Sequence, residues 1–154
     1  MRFILDSSVI VPLFNQEEET VNAELLFDLF NEYIIPFAIS PLVLHEVGNC
    51  IILISKKAKL DGMEYMTRFL EMDLKVIEVD NDLLLSAYDI AKEYDLTFYD
   101  AVHVAVSRKE KSVLITLDKD LLDAIDESLD IMGAIDFIEE SLELNEANNL
   151  EEPL

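Results

Sequence analysis

The chain has 154 residues, of which 51% are apolar and 8% aromatic, with only three glycines and four prolines. That composition excludes a disordered, collagen-like or loop-rich protein and predicts a helix-rich globular fold with a sizeable core. The net charge is −22, from 33 acids and 11 bases, and it is uneven: from Asp118 to Leu154 there are 13 acids and one base, Lys119. Such a field repels polyanions and argues against a broad basic nucleic-acid face, favouring a cation or a basic partner; its plainer meaning is solubility for an apolar-rich chain. The one cysteine, Cys50, excludes a disulfide framework and a cysteine-built metal site. No apolar run reaches the ~18 residues of a membrane span. The N-terminus meets Asp6 before a signal-peptide core forms, so a cytoplasmic protein without membrane contact is expected.

Phe3 to Leu5 reads as a short buried strand, ended by the helix-start signal Asp6-Ser7-Ser8. A helix follows over Glu17 to Tyr33, and Ile34 to Ile39 is strand-like. Pro41 opens an apolar helix through Ile54, and Asp61 to Met72 forms another. Lys75 to Val79 reads as a third strand, with Asp80 capping a helix from Asp82 to Tyr94. Thr97 begins a helix to Glu110, Ser112 to Ile115 is a fourth strand, and Lys119 to Glu127 is a short helix. Ile131 to Ile135 reads as a fifth strand before a final acidic helical segment. One domain is expected over residues 1–145. The acidic tail, 146–154, lacks periodicity and is expected to fray.

Strands alternating with helices predict parallel βαβ units in a three-layer α/β/α domain. Right-handed crossovers bring the strand carboxyl ends to one rim, where open sheets bind ligands at the point of strand-order reversal. Asp6 follows strand one and Asp118 follows strand four. Asp100 opens the helix entering strand four, and Glu46 lies one turn into the helix after strand two. Asp6 and Asp118 also read as helix caps, and Thr97 with Asp100 fits a capping box. Glu46 lies past any cap, among Leu42, Val43, Leu44, Val47, Cys50 and Ile51. A buried carboxylate there needs a partner, the sequence shows no base nearby, and a cation is the economical solution. Four converging carboxylates without His or Cys select a hard ion, Mg²⁺ or Mn²⁺. The chemistry such an ion suits is phosphodiester hydrolysis.

At these residues the sequence resembles the PIN-domain nucleases, most closely the short VapC-type toxins of VapBC toxin–antitoxin pairs. The matching pieces are Phe3-Ile4-Leu5-Asp6-Ser7-Ser8, Glu46-Val47-Gly48-Asn49, Tyr99-Asp100-Ala101 with Ala105, and Leu114-Ile115-Thr116-Leu117-Asp118, spread over about residues 3 to 138. The resemblance implies a parallel sheet of about five strands, order 3-2-1-4-5, with Asp6 and Asp118 facing across the switch point. It implies metal-binding catalytic acids at Asp6, Glu46, Asp100 and Asp118, and supporting hydroxyls at Ser7 or Ser8 and at Thr116. Asn49 is a supporting hydrogen-bonder and Asp120 an auxiliary acid or a solvated helix residue. The implied activity is Mg²⁺-dependent endoribonuclease cleavage of RNA by a homodimer held inactive by an antitoxin protein.

The strong acidity departs from what RNA cleavage needs. Lys56, Lys57 and Lys59, and Arg108, Lys109 and Lys111, read either as phosphate-positioning patches flanking the site or as compensation of helix dipoles. His45 and His103 read as general bases or, more simply, as packing residues. Cys50 is expected in the core, as are Phe27, Phe30, Phe37, Phe69 and Phe98. Met63, Met66 and Met72 are expected to pack inside rather than form a partner surface. A receiver-like phosphoaspartyl site built on Asp6, Thr116 and Asp80 lacks the paired acids and the lysine after strand five. A haloacid-dehalogenase-like phosphatase needs an aspartate where Ser8 stands. The non-enzyme alternative is a catalytically degenerate PIN-like fold that binds a basic partner.

Overall fold

In the computed structural model, residues 3–15, 20–32, 35–125 and 131–149 are described, except the side chains of 32 and 143–149. The elements run β1 (Phe3–Leu5), α1 (Ser7–Ile10), a 3-10 turn (Val11–Phe14), α2 (Thr20–Glu32), β2 (Phe37–Ile39), α3 (Pro41–Ala58) and α4 (Gly62–Glu71). They continue with α5 (Asn81–Tyr94), α6 (Phe98–Glu110), β3 (Val113–Thr116), α7 (Lys119–Ala124), β4 (Ile131–Gly133) and α8 (Ala134–Asn149). The outer ends expected for the second helix and for the Lys119 helix, 17–19, 33 and 126–127, lie outside the described residues, as do 150–154.

The strands are apolar along their length because each is covered on both faces. All pair in parallel in the order β2-β1-β3-β4, with Leu5 opposite Ile39 and Ile115. Side chains alternate across the sheet. Leu5, Ile39 and Ile115 enter one core with Val43, Val47, Ile51, Phe30 and Phe137, so α2, α3 and α8 cover that face. Ile4, Ala38 and Leu114 enter the other with Leu83, Ile90, Val102 and Val106, covered by α5 and α6. At roughly 1.5–3 kcal/mol for each large apolar side chain removed from water, these two layers hold the sheet flat against its helices.

The sheet has four strands rather than about five. The expected third strand, Lys75–Val79, shrinks to an isolated parallel bridge, Val76 to Ile39. It makes two bonds, Ile39 N–H to the Lys75 carbonyl at 2.8 Å and Ile77 N–H to the Ile39 carbonyl at 2.9 Å. It lies outside β2, where the expected order puts it. Ile77 is buried but Val76 is exposed, so only one face of this edge segment gains by pairing. β4 also stops early, at Gly133, where Ala134 begins α8.

Helix α3 runs past Ile54 to Ala58 and ends on Lys59 in the left-handed region, φ 55°. It is not buried all round. Val43, Val47 and Ile51 face the core four residues apart, while Ile52 and Leu53 are exposed. Met63 is 73% exposed and Phe98 43% exposed, against the expectation that both pack inside. Periodicity placed them on apolar stripes, but each sits in a helix's first turn, beyond the edge of the layer its helix covers.

Candidate functional site

Parallel pairing brings the ends of β1, β2 and β3 to one rim, and with them Asp6, Ser40 and Thr116. α3 and α6 start at that rim, so their first two turns add Glu46, Asp100 and His103. The four predicted acids line a single open cleft of about 420 Å³, walled also by Ser7, Ser8, Val11, Pro12, Cys50 and Leu117. Cys50 is therefore a half-buried wall residue, not the core residue expected, because the cleft opens on that side of α3.

Asp6 is the most enclosed of the four, 7% exposed. Its Oδ2 accepts hydrogen bonds from Ser8 Oγ at 2.6 Å and Thr116 Oγ1 at 2.8 Å, and its Oδ1 accepts from Ser7 N–H at 2.6 Å. The two hydroxyls lie 3.1 Å apart. Ser8 Oγ accepts the Leu117 amide at 2.9 Å, and Thr116 Oγ1 accepts the Asp118 amide at 3.0 Å. β1 and β3 are thus sewn together just beyond their last paired residues. Both serines expected near the first aspartate are used: the Ser8 hydroxyl and the Ser7 amide hold Asp6.

Glu46 has the basic partner that the sequence seemed to deny it. His103, 57 residues away on α6 and 1% exposed, brings Nε2 to 3.2 Å from Glu46 Oε2 and 3.7 Å from Asp6 Oδ1. Ligand atoms of Asp6, Glu46 and His103 all lie within 4.8 Å of one another. Burial pushes the Glu46 carboxyl up, but the His103 hydrogen bond and charge, with lesser help from Ser7 and His45, leave it below its ordinary value. Burial likewise pushes the His103 imidazole down, yet its bond to Glu46 and the charges of Asp6, Glu46 and Asp100 raise it above its ordinary value. The sequence alone reads His103 as a general base or, more simply, as packing. An i, i+3 step from Asp100 was the one sequence signal that it faces the rim.

Asp100 and Asp118 face the same cleft outside this tight trio, Asp100 bonded to Thr97, the cap of α6, and Asp118 itself the cap of α7. Thr97 Oγ1 donates to Asp100 Oδ2 at 2.6 Å and accepts the Asp100 amide at 3.2 Å. Asp118 Oδ1 accepts the amides of Asp120 at 2.9 Å and Leu121 at 3.2 Å. The capping and site readings are therefore not alternatives. Asn49 and Asp120 are exposed and are absent from the cleft wall. His45 turns back on its own helix, Nδ1 lying 2.9 Å from the Pro41 carbonyl.

The bases lie elsewhere. α3 and α6 lead away from the rim at ~1.5 Å per residue, which puts Lys56 about 15 Å from Glu46 and Arg108 about 12 Å from Asp100 along the axes. All six bases are exposed, and Lys109 Nζ pairs with Asp80 Oδ2 at 2.7 Å. They do not flank the cleft. Among the described residues lining it, none is Lys or Arg. Four carboxylates thus share a cleft with one histidine behind them as compensation. The oxygens of Asp6 and Glu46, within reach of one another in an otherwise acidic cleft, fit a divalent cation.

Comparison with known proteins agrees with this geometry. The PIN domain family matches residues 3–127. Ribonuclease VapC3 of Pyrobaculum aerophilum is 28% identical over 125 residues, covering 79% of this chain and 92% of the relative. Among solved structures, PAE2754 from Pyrobaculum aerophilum superposes with a TM-score of 0.68 at 21% identity, covering 92% of this chain and 98% of that one. VapBC2 from Rickettsia felis, bound to a DNA fragment from their promoter, gives a TM-score of 0.65 at 17% identity, over 86% of this chain and 98% of that one. The family match takes in the sheet from β1 to β3 and all four acids of the cleft, so this chain belongs to the PIN domain family, and its likeness within it runs to the VapC type.

Proposed function

We propose that this protein is a divalent-metal-dependent endoribonuclease, the toxin of a toxin–antitoxin pair, working in the cytoplasm as a homodimer restrained by an antitoxin protein. The observation that carries the reading is the single cleft lined by Asp6, Glu46, Asp100 and Asp118 with no base in its wall. The relatives named ribonuclease and VapBC support the RNA substrate and the antitoxin. Residues 1–145 act as one domain in this reading.

Asp6 and Glu46 would hold the ion, with Asp100 and Asp118 completing the acidic wall. Bound Mg²⁺ or Mn²⁺ would supply an acidified water and stabilise charge on the phosphate oxygens of the scissile bond. The chain's own contribution is orientation. Ser8, Thr116 and the Ser7 amide fix Asp6 against β3, His103 fixes Glu46, and the caps of α6 and α7 fix Asp100 and Asp118. No cationic side chain in the cleft wall would draw the phosphodiester in, so substrate capture depends on the metal. This also explains how so acidic a chain can act on a polyanion.

The test is a thermal melt and a labelled-RNA cleavage assay, each with EDTA and with millimolar Mn²⁺. Mn²⁺ should raise the Tm and start cleavage, and Asp118→Asn should stop cleavage while remaining folded. A melting curve indifferent to Mn²⁺, with RNA left intact, would overturn the nuclease reading in favour of a degenerate fold that binds a basic partner.

A further inference from the structure

Ser40 stands at the N-cap of α3 with the extended backbone of a cap, φ −75° and ψ 157°, yet its side chain caps no amide. It is fully buried. Its hydroxyl instead lies 3.1 Å from His103 Nδ1, while the far side of the same ring reaches Glu46 and Asp6. One imidazole from α6 therefore touches the start of α3, the acid one and a half turns into α3, and the acid at the end of β1. The ring takes no part in the cleft wall. It lies behind the two carboxylates, not between them and the solvent.

From this arrangement we infer that His103, oriented by Ser40, is the positioning residue that presets Glu46 and Asp6 for the cation. In either charge state of the ring, Nε2 carries a hydrogen toward Glu46. A neutral ring accepts a hydrogen bond from the Ser40 hydroxyl at Nδ1, and a charged ring donates one to the Ser40 oxygen there. Glu46 Oε2 accepts that bond and keeps lone pairs to spare for a ligand. Two like-charged carboxylates this close repel each other. The ring draws both toward one point before any ion arrives, so the ion does not have to assemble its own site. Ser40 gives up its ordinary capping bond for this, and Pro41 at the first helical position, which lacks an N–H, leaves one amide fewer to cap.

The inference rests on the metal-nuclease reading, and the experiment separates the two. Wild-type protein, Ser40→Ala, His103→Gln and His103→Leu are freed of metal. Free Mn²⁺ is then followed by electron paramagnetic resonance during titration, and the Tm is measured in EDTA. Outer contacts of this kind change metal affinity by about 10- to 100-fold. His103→Leu should weaken Mn²⁺ binding within that range, His103→Gln should regain part of it because its amide still donates, and Ser40→Ala should lose several-fold. Nitrogen couplings of a directly bound imidazole should be absent from wild-type Mn²⁺ spectra. Unchanged Mn²⁺ affinity in folded variants, with only the Tm lowered, would make His103 a packing residue and overturn the inference. A strong imidazole coupling would overturn it in favour of a ligand. Should His103→Leu not fold, the Gln and Ser40→Ala variants decide alone. If wild-type protein fails to bind Mn²⁺ saturably, the nuclease reading falls and this inference with it.

Discussion

The two halves of the cleft are built on different principles. Asp6 and Glu46 are held by side chains of three elements, Ser8 of α1, Thr116 of β3 and His103 of α6, contacts that span 57 to 110 residues of sequence or lie immediately beside the acid. Asp100 and Asp118 are held by their own helix starts, through partners no more than three residues away. The first half is complete only once the sheet and both helix layers have docked, although Asp6 also caps α1 locally through the Ser7 amide. The second is local, and each acid has a structural duty apart from any ligand. Function and stability should therefore be hard to separate at Asp6 and easy to separate at Asp118.

The largest effect is expected from Asp6→Asn. Whichever way its amide turned, the NH2 would face donors, either Ser8 and Thr116 or the Ser7 amide, and the ion would lose one of its most enclosed oxygens. RNA cleavage should fall by about 100-fold or more and the Mn²⁺-dependent rise in Tm should vanish. Metal-free stability should also drop by roughly 1–3 kcal/mol, because buried hydroxyls must find new acceptors. Denaturant melts in EDTA beside cleavage rates check both. A loss of stability without a loss of cleavage would show that the network, not the ion, is what Asp6 serves.

Asp118 sharpens the contrast. Asn is as good a cap as Asp, whereas Ala costs ~1 kcal/mol at an N-cap. Asp118→Asn and Asp118→Ala should thus be equally poor in cleavage but differ by about that amount in metal-free stability. If the two were equally stable, the cap of α7 would contribute nothing, and the local half of the cleft would be no simpler than the other.

The sequence disclosed the local half and only part of the distant half, for a physical reason. Strand-to-helix transitions carry their own signals, so Asp6, Asp100 and Asp118 could be located from hydrophobic runs and caps, and the parallel topology placed their elements on one rim. Glu46 was found because it sits in an apolar segment past any cap. What could not be read was its partner. A search for charge compensation along the chain looks a few residues either way, and His103 comes from another helix, oriented by a serine that occupies a cap position without capping. Cys50, Phe98 and Met63 were misplaced for a related reason. Helical periodicity says which residues share a face but not where that face runs out, and all three stand where a layer ends or opens into the cleft. The strand at Lys75–Val79 failed for want of a second buried face.

The docked half also has a pH signature. His103 titrates above its ordinary 6.5 in the folded chain, so its contribution is complete below that value and is lost as pH rises through the higher folded one. Glu46 titrates below its ordinary 4.5, so its contribution is complete above that value and is lost as pH falls through the lower folded one. Asp6 and Asp100 also face the ring, and His45 acts on Glu46. In EDTA the stability difference between wild type and His103→Gln should therefore be greatest between about pH 4.5 and 6.5 and should shrink on either side. The difference is the quantity to follow, since the self-repulsion of a −22 chain grows with pH for both proteins. A difference flat with pH would mean that ring and carboxylate gain nothing from each other's charge.

The smallest effect is expected at the far ends of the same two helices. Lys56 and Lys57 occupy the last turn of α3, and Arg108 and Lys109 that of α6, where cations complement exposed carbonyls. Seen from the cleft, they stand at the opposite pole of helices whose first two turns carry the acids. Replacing Lys56 and Lys57 by Gln should lower stability by about 0.3–1 kcal/mol each, less at high salt, and should leave kcat and KM for RNA within about twofold. A rise in KM together with a shallower dependence of binding on salt would instead make them phosphate contacts, each neutralised phosphate adding nearly one unit to that slope. Such a result would extend the RNA path from the rim along α3 to its far end. It would also mean that the acidic cleft captures its substrate with help from beyond its own wall.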